Sequence, residues 1–173
     1  MQRPTSVTVF GILNIVFAAW GILGLLMSLV VFNLNRGNPN DPMMKILENN
    51  PAYANYIKVM IPVGGLASAA LLVAGIGLLM MKPWGRTLSI AYAIFALVSC
   101  AVGLVMNVLF FIGPMIEQAN RAKGPEAAGL MGGAIGAGVG GCFGFIYPIL
   151  LVIFMLRPNV RAAFRPTQIE AFD

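Results

Sequence analysis

The chain has 173 residues, of which 59% are hydrophobic and only 10% are charged, whereas soluble domains carry about 25% charged residues. A water-soluble fold of this size could not bury so much apolar surface, so composition predicts an integral membrane protein. The formal net charge is +5, but the cations are scattered around apolar stretches and do not indicate nucleic-acid binding. The absence of histidine excludes histidine-based catalytic triads and the common zinc sites.

Four stretches contain no charged residue over a length sufficient to cross a bilayer, which takes about 20 helical residues. They cover residues 7–32, 59–81, 87–116 and 129–156. The sequence therefore predicts an all-α fold, with one transmembrane domain over residues 1–173. We expect a polytopic membrane protein with four transmembrane helices packed as a bundle.

Basic residues close to the helix ends predict the orientation of these spans, because cytoplasmic ends carry an excess of Lys and Arg. On one side they are Arg3, Lys82, Arg86, Arg157, Arg161 and Arg165. The basic residues of the other side are more dispersed. The sequence therefore predicts a multi-pass protein of the cell membrane with both termini in the cytoplasm.

The segment 82–86, KPWGR, joins the second and third spans. Pro83 ends one helix, Gly85 is expected to let the chain reverse, and Trp84 fits the headgroup level. The cations on either side keep the helices from sliding into lipid. The predicted interface anchors, in contact with anionic headgroups of the cytoplasmic face, are Lys82, Trp84, Arg86, Arg157, Arg161 and Arg165.

The outer loop over residues 33–58 is the one sizeable polar connection. Asp41 followed by Pro42 is a favourable N-cap and first-turn pair. It predicts a short amphipathic helix on the membrane surface whose apolar residues are Met43, Met44, Ile46 and Leu47. We interpret this loop as a cap over the bundle, with a lid over a ligand as the alternative.

The basic cytoplasmic tail over residues 157–173 begins after the fourth span. Its arginines recur every four residues, and Val160 and Phe164 form a neighbouring apolar row. This pattern fits a short helix lying on an anionic leaflet. A frayed basic tail that serves only to set the topology is the alternative.

The fourth span contains a glycine zipper, in which Gly132, Gly136, Gly140 and Gly144 recur at four-residue spacing. A second row of small residues lies beside it and consists of Gly129, Gly133, Ala137 and Gly141. Residues four apart share one helix face, and a face without side chains lets another helix come close. The first row is therefore predicted to pack inside the bundle. Self-association into a homo-oligomer and a glycine-rich loop are the alternatives.

No charged residue lies within a span, so the sequence shows no proton relay. The polar residues of the spans include Asn14, Ser28, Ser68, Ser89, Ser99 and Asn107. Ser28 and Asn107 lie at similar depths in the outer half, which predicts an interhelical hydrogen-bonded pair. Pro148 is predicted to kink the fourth helix.

Two internal similarities suggest that the chain consists of two parallel helical hairpins. Residues 24–32, GLLMSLVVF, resemble residues 103–111, GLVMNVLFF, and KPWGR resembles RPNVR at residues 157–161. A duplication would relate the halves by an axis along the membrane normal. Chance similarity between membrane spans is the alternative.

The stretches RPTSVTVFGILNIVFAAWG, KPWGR and YPILLVIFMLRPNVRAAF resemble small, uncharacterised four-span integral membrane proteins of bacteria. This resemblance implies a bacterial inner membrane and carries no site residues. The residues themselves predict no catalytic, metal or cofactor site and therefore no enzyme. We expect a structural or regulatory membrane module, with a small-solute channel or carrier working as an oligomer as the alternative. The expected partner is the lipid bilayer, and no nucleic acid is expected.

Overall fold

The computed structural model describes residues 5–35 and 42–164, and every secondary-structure element in this part of the chain is helical. The helices are α1 (Thr5–Asn35), α2 (Pro42–Asn49), α3 (Pro51–Leu79), α4 (Pro83–Asn107), α5 (Gly113–Arg121), α6 (Pro125–Phe143), α7 (Ile146–Leu156) and α8 (Pro158–Ala163), with a π-helical turn over Val108–Ile112. Arg3, Asp41, Arg165 and the side chain of Met43 lie outside the described residues.

Four helical segments are long and apolar enough to cross a membrane, namely Thr5–Leu34, Pro51–Leu79, Pro83–Arg121 and Pro125–Leu156. The protein is therefore an all-α, multi-pass, four-helix membrane bundle, as predicted. We call the end that holds the 82–86 turn the turn end, and the opposite end, which holds α2, the cap end. Helix α1 packs along α3, α3 along α4, and α4 against α7, while α6 packs mainly on α5.

The helices extend beyond the predicted spans. Helix α3 begins at Pro51 because Asn50 is not helical and proline suits the first position of a helix. The third span continues to Arg121 through the π-helical turn. Pro114, which has no N–H to donate, is the second residue after that turn, and π-bulges accommodate such interruptions.

The fourth span consists of two helices, α6 and α7, separated by Gly144 and Phe145. Pro148 explains the position of the break, because a proline ring clashes with the carbonyl group four residues earlier, here that of Gly144. The break agrees with the effect predicted for Pro148. It allows α7 to pack against α4 independently of the direction taken by α6.

A buried apolar cluster closes the turn end of the bundle. Its members come from five helices and the residue after α8, and they are Val7, Phe10, Leu78, Ala93, Leu151, Met155, Val160 and Phe164. Val160 and Phe164, which were predicted to face the leaflet surface, instead cover the end of the bundle. Burial with the other six side chains of this cluster removes more apolar area from water than an interfacial position would, so the short tail helix folds inward.

The reversal between α3 and α4 occurs at Met81, which has a φ of 57°. Gly85, predicted to allow the reversal, instead lies in the first turn of α4. A Cβ atom added to Gly85 would lie 2.5 Å from the carbonyl carbon of Gly77. Gly85 is therefore required because two backbones meet there. The left-handed conformation is taken by Met81, whose side chain packs on the buried cluster.

Candidate functional site

A network of three polar side chains, two of them buried and one half-buried, lies in the turn half of the bundle. The side-chain amide of Asn14 on α1 donates a hydrogen bond from Nδ2 to Ser89 Oγ on α4, at 3.2 Å. The hydroxyl group of Tyr147 on α7 donates to Asn14 Oδ1. Asn14 and Ser89 are fully buried. The network therefore joins three membrane-spanning segments through one amide group.

The network is internally satisfied. Ser89 Oγ donates to the carbonyl oxygen of Gly85 at 2.8 Å, which leaves it free to accept from Asn14. Among the described residues, no buried side-chain nitrogen or oxygen lacks a hydrogen-bond partner. With a rise of 1.5 Å per residue, the three side chains lie about 9 to 14 Å from the turn end of their helices. At that depth in hydrocarbon an unsatisfied polar group is costly, so the network fixes how these segments pack.

A second polar contact lies near the cap end. Tyr53 on α3 donates from its hydroxyl group to Asn107 Oδ1 at 3.2 Å, and Asn107 Nδ2 donates to the carbonyl oxygen of Gly103. Ser28 Oγ instead donates to the carbonyl oxygen of Gly24 on its own helix, at 2.8 Å. The predicted Ser28–Asn107 pair is therefore wrong. Similar depth was not sufficient, because the long side chain of Tyr53 reaches Asn107 from α3.

A cavity of about 560 Å³ opens between α1 and α3 in the cap half of the bundle. Its wall is apolar except for two serine hydroxyl groups and is formed by Gly21, Leu25, Ser28, Val31, Phe32, Met44, Ile57, Met60, Ile61, Gly64 and Ser68. Ser28 and Val31 are exposed at the surface of the bundle. The cavity therefore reaches the surface of the bundle beside a membrane-spanning segment, Thr5–Leu34.

Glycines determine where this cavity begins. Near the turn end, a Cβ added to Gly75 would lie 2.9 Å from the carbonyl oxygen of Gly11, so α1 and α3 are in backbone contact there. Further along, a Cβ at Gly21 would lie 2.5 Å from Ser68 Oγ, which forms the floor of the cavity. At Gly64 an added Cβ would meet nothing within 4 Å. The two helices thus touch at one end and leave space between them at the other.

Comparisons with protein-family models, curated proteins and solved structures found no match to this chain. The described residues also contain no group of three or more Cys, Asp or Glu side chains that could hold a metal ion. The Asn14–Ser89–Tyr147 network and the cavity offer hydrogen bonding by neutral groups and apolar contact.

The first glycine row of α6 does not pack inside the bundle, contrary to the prediction. Gly132, Gly136 and Gly140 are exposed, and a Cβ added to any of them would meet no described atom within 4 Å. Gly144 differs, since its added Cβ would lie 3.3 Å from Cys100 Sγ. Self-association through the exposed row remains the alternative.

Two members of the second row, Gly133 and Gly141, make the close contacts instead. A Cβ added to Gly133 would lie 2.8 Å from Met115 Cε, and a Cβ added to Gly141 would lie 3.2 Å from Leu104 Cδ1. Leu130 and Ala134 on the same helix are buried. Helix α6 therefore turns this neighbouring face towards α4 and α5.

The predicted interface anchors have different surroundings. Arg86 Nε donates to the carbonyl oxygen of Met155 at 2.9 Å, so this cation also ties the 82–86 turn to the end of α7. The ring of Trp84 lies against Gly77, and the Arg157 guanidinium carbon lies 4.3 Å from the centre of the Phe154 ring. The side chains of Lys82 and Arg161 are exposed. Their contacts with headgroups stay a prediction.

Sequence reasoning recognised Asn14 and Ser89 as polar residues of the spans but did not join them. Their similar distance from the turn end was a usable signal. Tyr147 lies at a similar distance from the turn end, and a buried tyrosine hydroxyl group usually has a hydrogen-bond partner, so the same signal applied to it. The cavity was also missed, since it depends on how far α1 and α3 separate.

Proposed function

We propose that this protein is a structural or regulatory membrane module without enzymatic activity. The Asn14–Ser89–Tyr147 network supports this proposal. A transport path requires polar groups that face a water-accessible space, whereas Asn14 and Ser89 are fully buried and bond to each other. Their arrangement suits a bundle held in one packing, which other membrane components can contact.

A vesicle flux assay tests this proposal. The purified protein is reconstituted into liposomes, and the entry of glycerol, urea and monovalent ions is followed by stopped-flow light scattering and by ion-sensitive dyes. Vesicles without protein give the baseline, and vesicles with a pore-forming peptide give the positive control. We expect no flux above the baseline. Flux that rises with protein content would contradict the proposal and support the carrier alternative.

A double variant, Asn14→Ala with Tyr147→Phe, sharpens the test. If the network only holds helices together, the variant unfolds more easily but its vesicles stay as tight as those of the wild type. If the network is the closed gate of a carrier, loosening it increases the flux. Ser28→Ala is the matched control, because its hydroxyl group bonds only within α1.

We further propose that both termini face the cytoplasm and that the host membrane is a bacterial inner membrane. The basic residues close to the turn end support this orientation. They include Lys82 and Arg86 at the start of α4 and Arg157 and Arg161 beside α8. The exposed side chains of Lys82 and Arg161 are available to anionic headgroups on that side.

A further inference from the structure

We propose that the cavity between α1 and α3 binds one acyl chain of a phospholipid from the leaflet on the cap side. A volume of about 560 Å³ falls within the range of ligand pockets, which is about 300 to 1,000 Å³. This site goes beyond the proposed function and holds whether or not the protein moves solutes.

The length of the cavity matches one leaflet. Its wall on α3 runs from Ile57 to Ser68, a stretch of twelve residues whose ends lie about 16 Å apart along the helix. The hydrocarbon core of a bilayer is about 30 Å thick, so one leaflet contributes about 15 Å. A chain lying parallel to α3 can therefore fill the cavity from its mouth to its floor at Ser68.

The wall and the opening both favour hydrocarbon over a polar solute. Side chains such as Leu25, Met60 and Ile61 line the cavity, and they offer dispersion contacts but no hydrogen bonds. The cavity opens sideways beside Ser28 and Val31, within the Thr5–Leu34 segment. Lipid is the molecule that reaches such an opening, and empty space there would forfeit the same contacts.

Two exposed cations are neighbours in sequence of residues that line the cavity. Lys45 follows the lining residue Met44 on α2, and Lys58 follows the lining residue Ile57 on α3. Both side chains are exposed, as is Glu48, so the three groups together carry a charge of +1. We assign binding of the lipid phosphate to the two lysines, because an ammonium group binds phosphate as a point charge.

The experiment compares two glycine variants by native mass spectrometry after purification in a mild detergent. Gly64→Leu places a side chain in the cavity, and Gly129→Leu makes the same change at an exposed position of α6. An added Cβ meets nothing within 4 Å at either glycine, so both variants are expected to fold. Circular dichroism and the unfolding midpoint check this directly.

We expect wild type and Gly129→Leu to retain one phospholipid, or to bind one when phosphatidylglycerol is added back. Gly64→Leu should weaken this binding by about 5- to 150-fold, the range that one overpacked side chain produces. Lys45→Ala and Lys58→Ala should each weaken it about fivefold. No bound phospholipid in the wild type, or equal binding by Gly64→Leu, would overturn the proposal. Unchanged binding by both lysine variants would refute the assignment of the phosphate.

Discussion

The hydrogen bond between Asn14 and Tyr147 is expected to contribute measurably to the stability of the bundle. Tyr147→Phe removes only the hydroxyl group that donates to Asn14 Oδ1. Asn14→Ala removes that acceptor and also the donor to Ser89. A double-mutant cycle on these two residues isolates their interaction from the other effects of each substitution.

The magnitudes follow from the number of bonds lost. Interhelical hydrogen bonds in membranes average about 0.6 kcal/mol and reach about 1.7 kcal/mol. We therefore expect Tyr147→Phe to lower the free energy of unfolding by about 0.6 to 1.7 kcal/mol. Asn14→Ala breaks two such bonds and should lower it by about 1 to 3 kcal/mol. The coupling energy should lie in the upper half of the single-bond range, because Asn14 is fully buried and an orphaned buried group adds a desolvation cost.

The assay is reversible unfolding in mixed micelles with a rising fraction of SDS, followed by far-ultraviolet circular dichroism. Ser28→Ala serves as the control, because its exposed hydroxyl group bonds to the carbonyl oxygen of Gly24 on the same helix. It should shift the free energy by less than about 0.5 kcal/mol. A coupling energy between Asn14 and Tyr147 within about 0.3 kcal/mol of zero would refute the reasoning, since independent sites are additive to that level.

Three further predictions concern the glycines and the topology. Gly85→Leu should lower the free energy of unfolding by about 1 to 3 kcal/mol or more, because the contact at Gly85 is with backbone. Gly136→Leu should be nearly neutral, and equal effects of the two variants in SDS unfolding would contradict this prediction. Gly136→Ile with Gly140→Ile should leave unfolding unchanged within about 0.5 kcal/mol and reduce chemical crosslinking of dimers; unaltered crosslinking would exclude this face from self-association. In intact cells an impermeant thiol reagent should label Lys45→Cys and not Trp84→Cys, and the reverse pattern would invert the proposed orientation.

The four spans could be predicted from the sequence because their lengths and lack of charge depend only on the chain itself. The side of α6 that packs against the other helices could not be predicted from the sequence. Both small-residue rows have the same spacing, and the choice between them depends on Met115 and Leu104, which occupy other helices. A helix sequence states which faces permit close approach, but the partner decides which face is used.

The polar contacts illustrate the same limit. Ser28 and Asn107 lie at similar depth, yet Tyr53 on a third helix supplies the partner of Asn107. At the 82–86 turn, local preference pointed to Gly85 for the reversal, whereas Met81 adopts the left-handed conformation. The close contact between Gly85 and Gly77 explains why tertiary packing overrode that preference.

The buried amide of Asn14 also constrains how the chain is synthesised. Its two partners lie 75 and 133 residues further along the sequence. At about 5 to 20 residues per second, Tyr147 leaves the ribosome about 7 to 27 s after Asn14. During this interval α1 lies in the membrane without its final partners. The side-chain amide of Asn14 therefore has to hydrogen-bond to lipid headgroups, water or the insertion machinery. A chain truncated before α7 would leave Asn14 Oδ1 permanently without the Tyr147 donor.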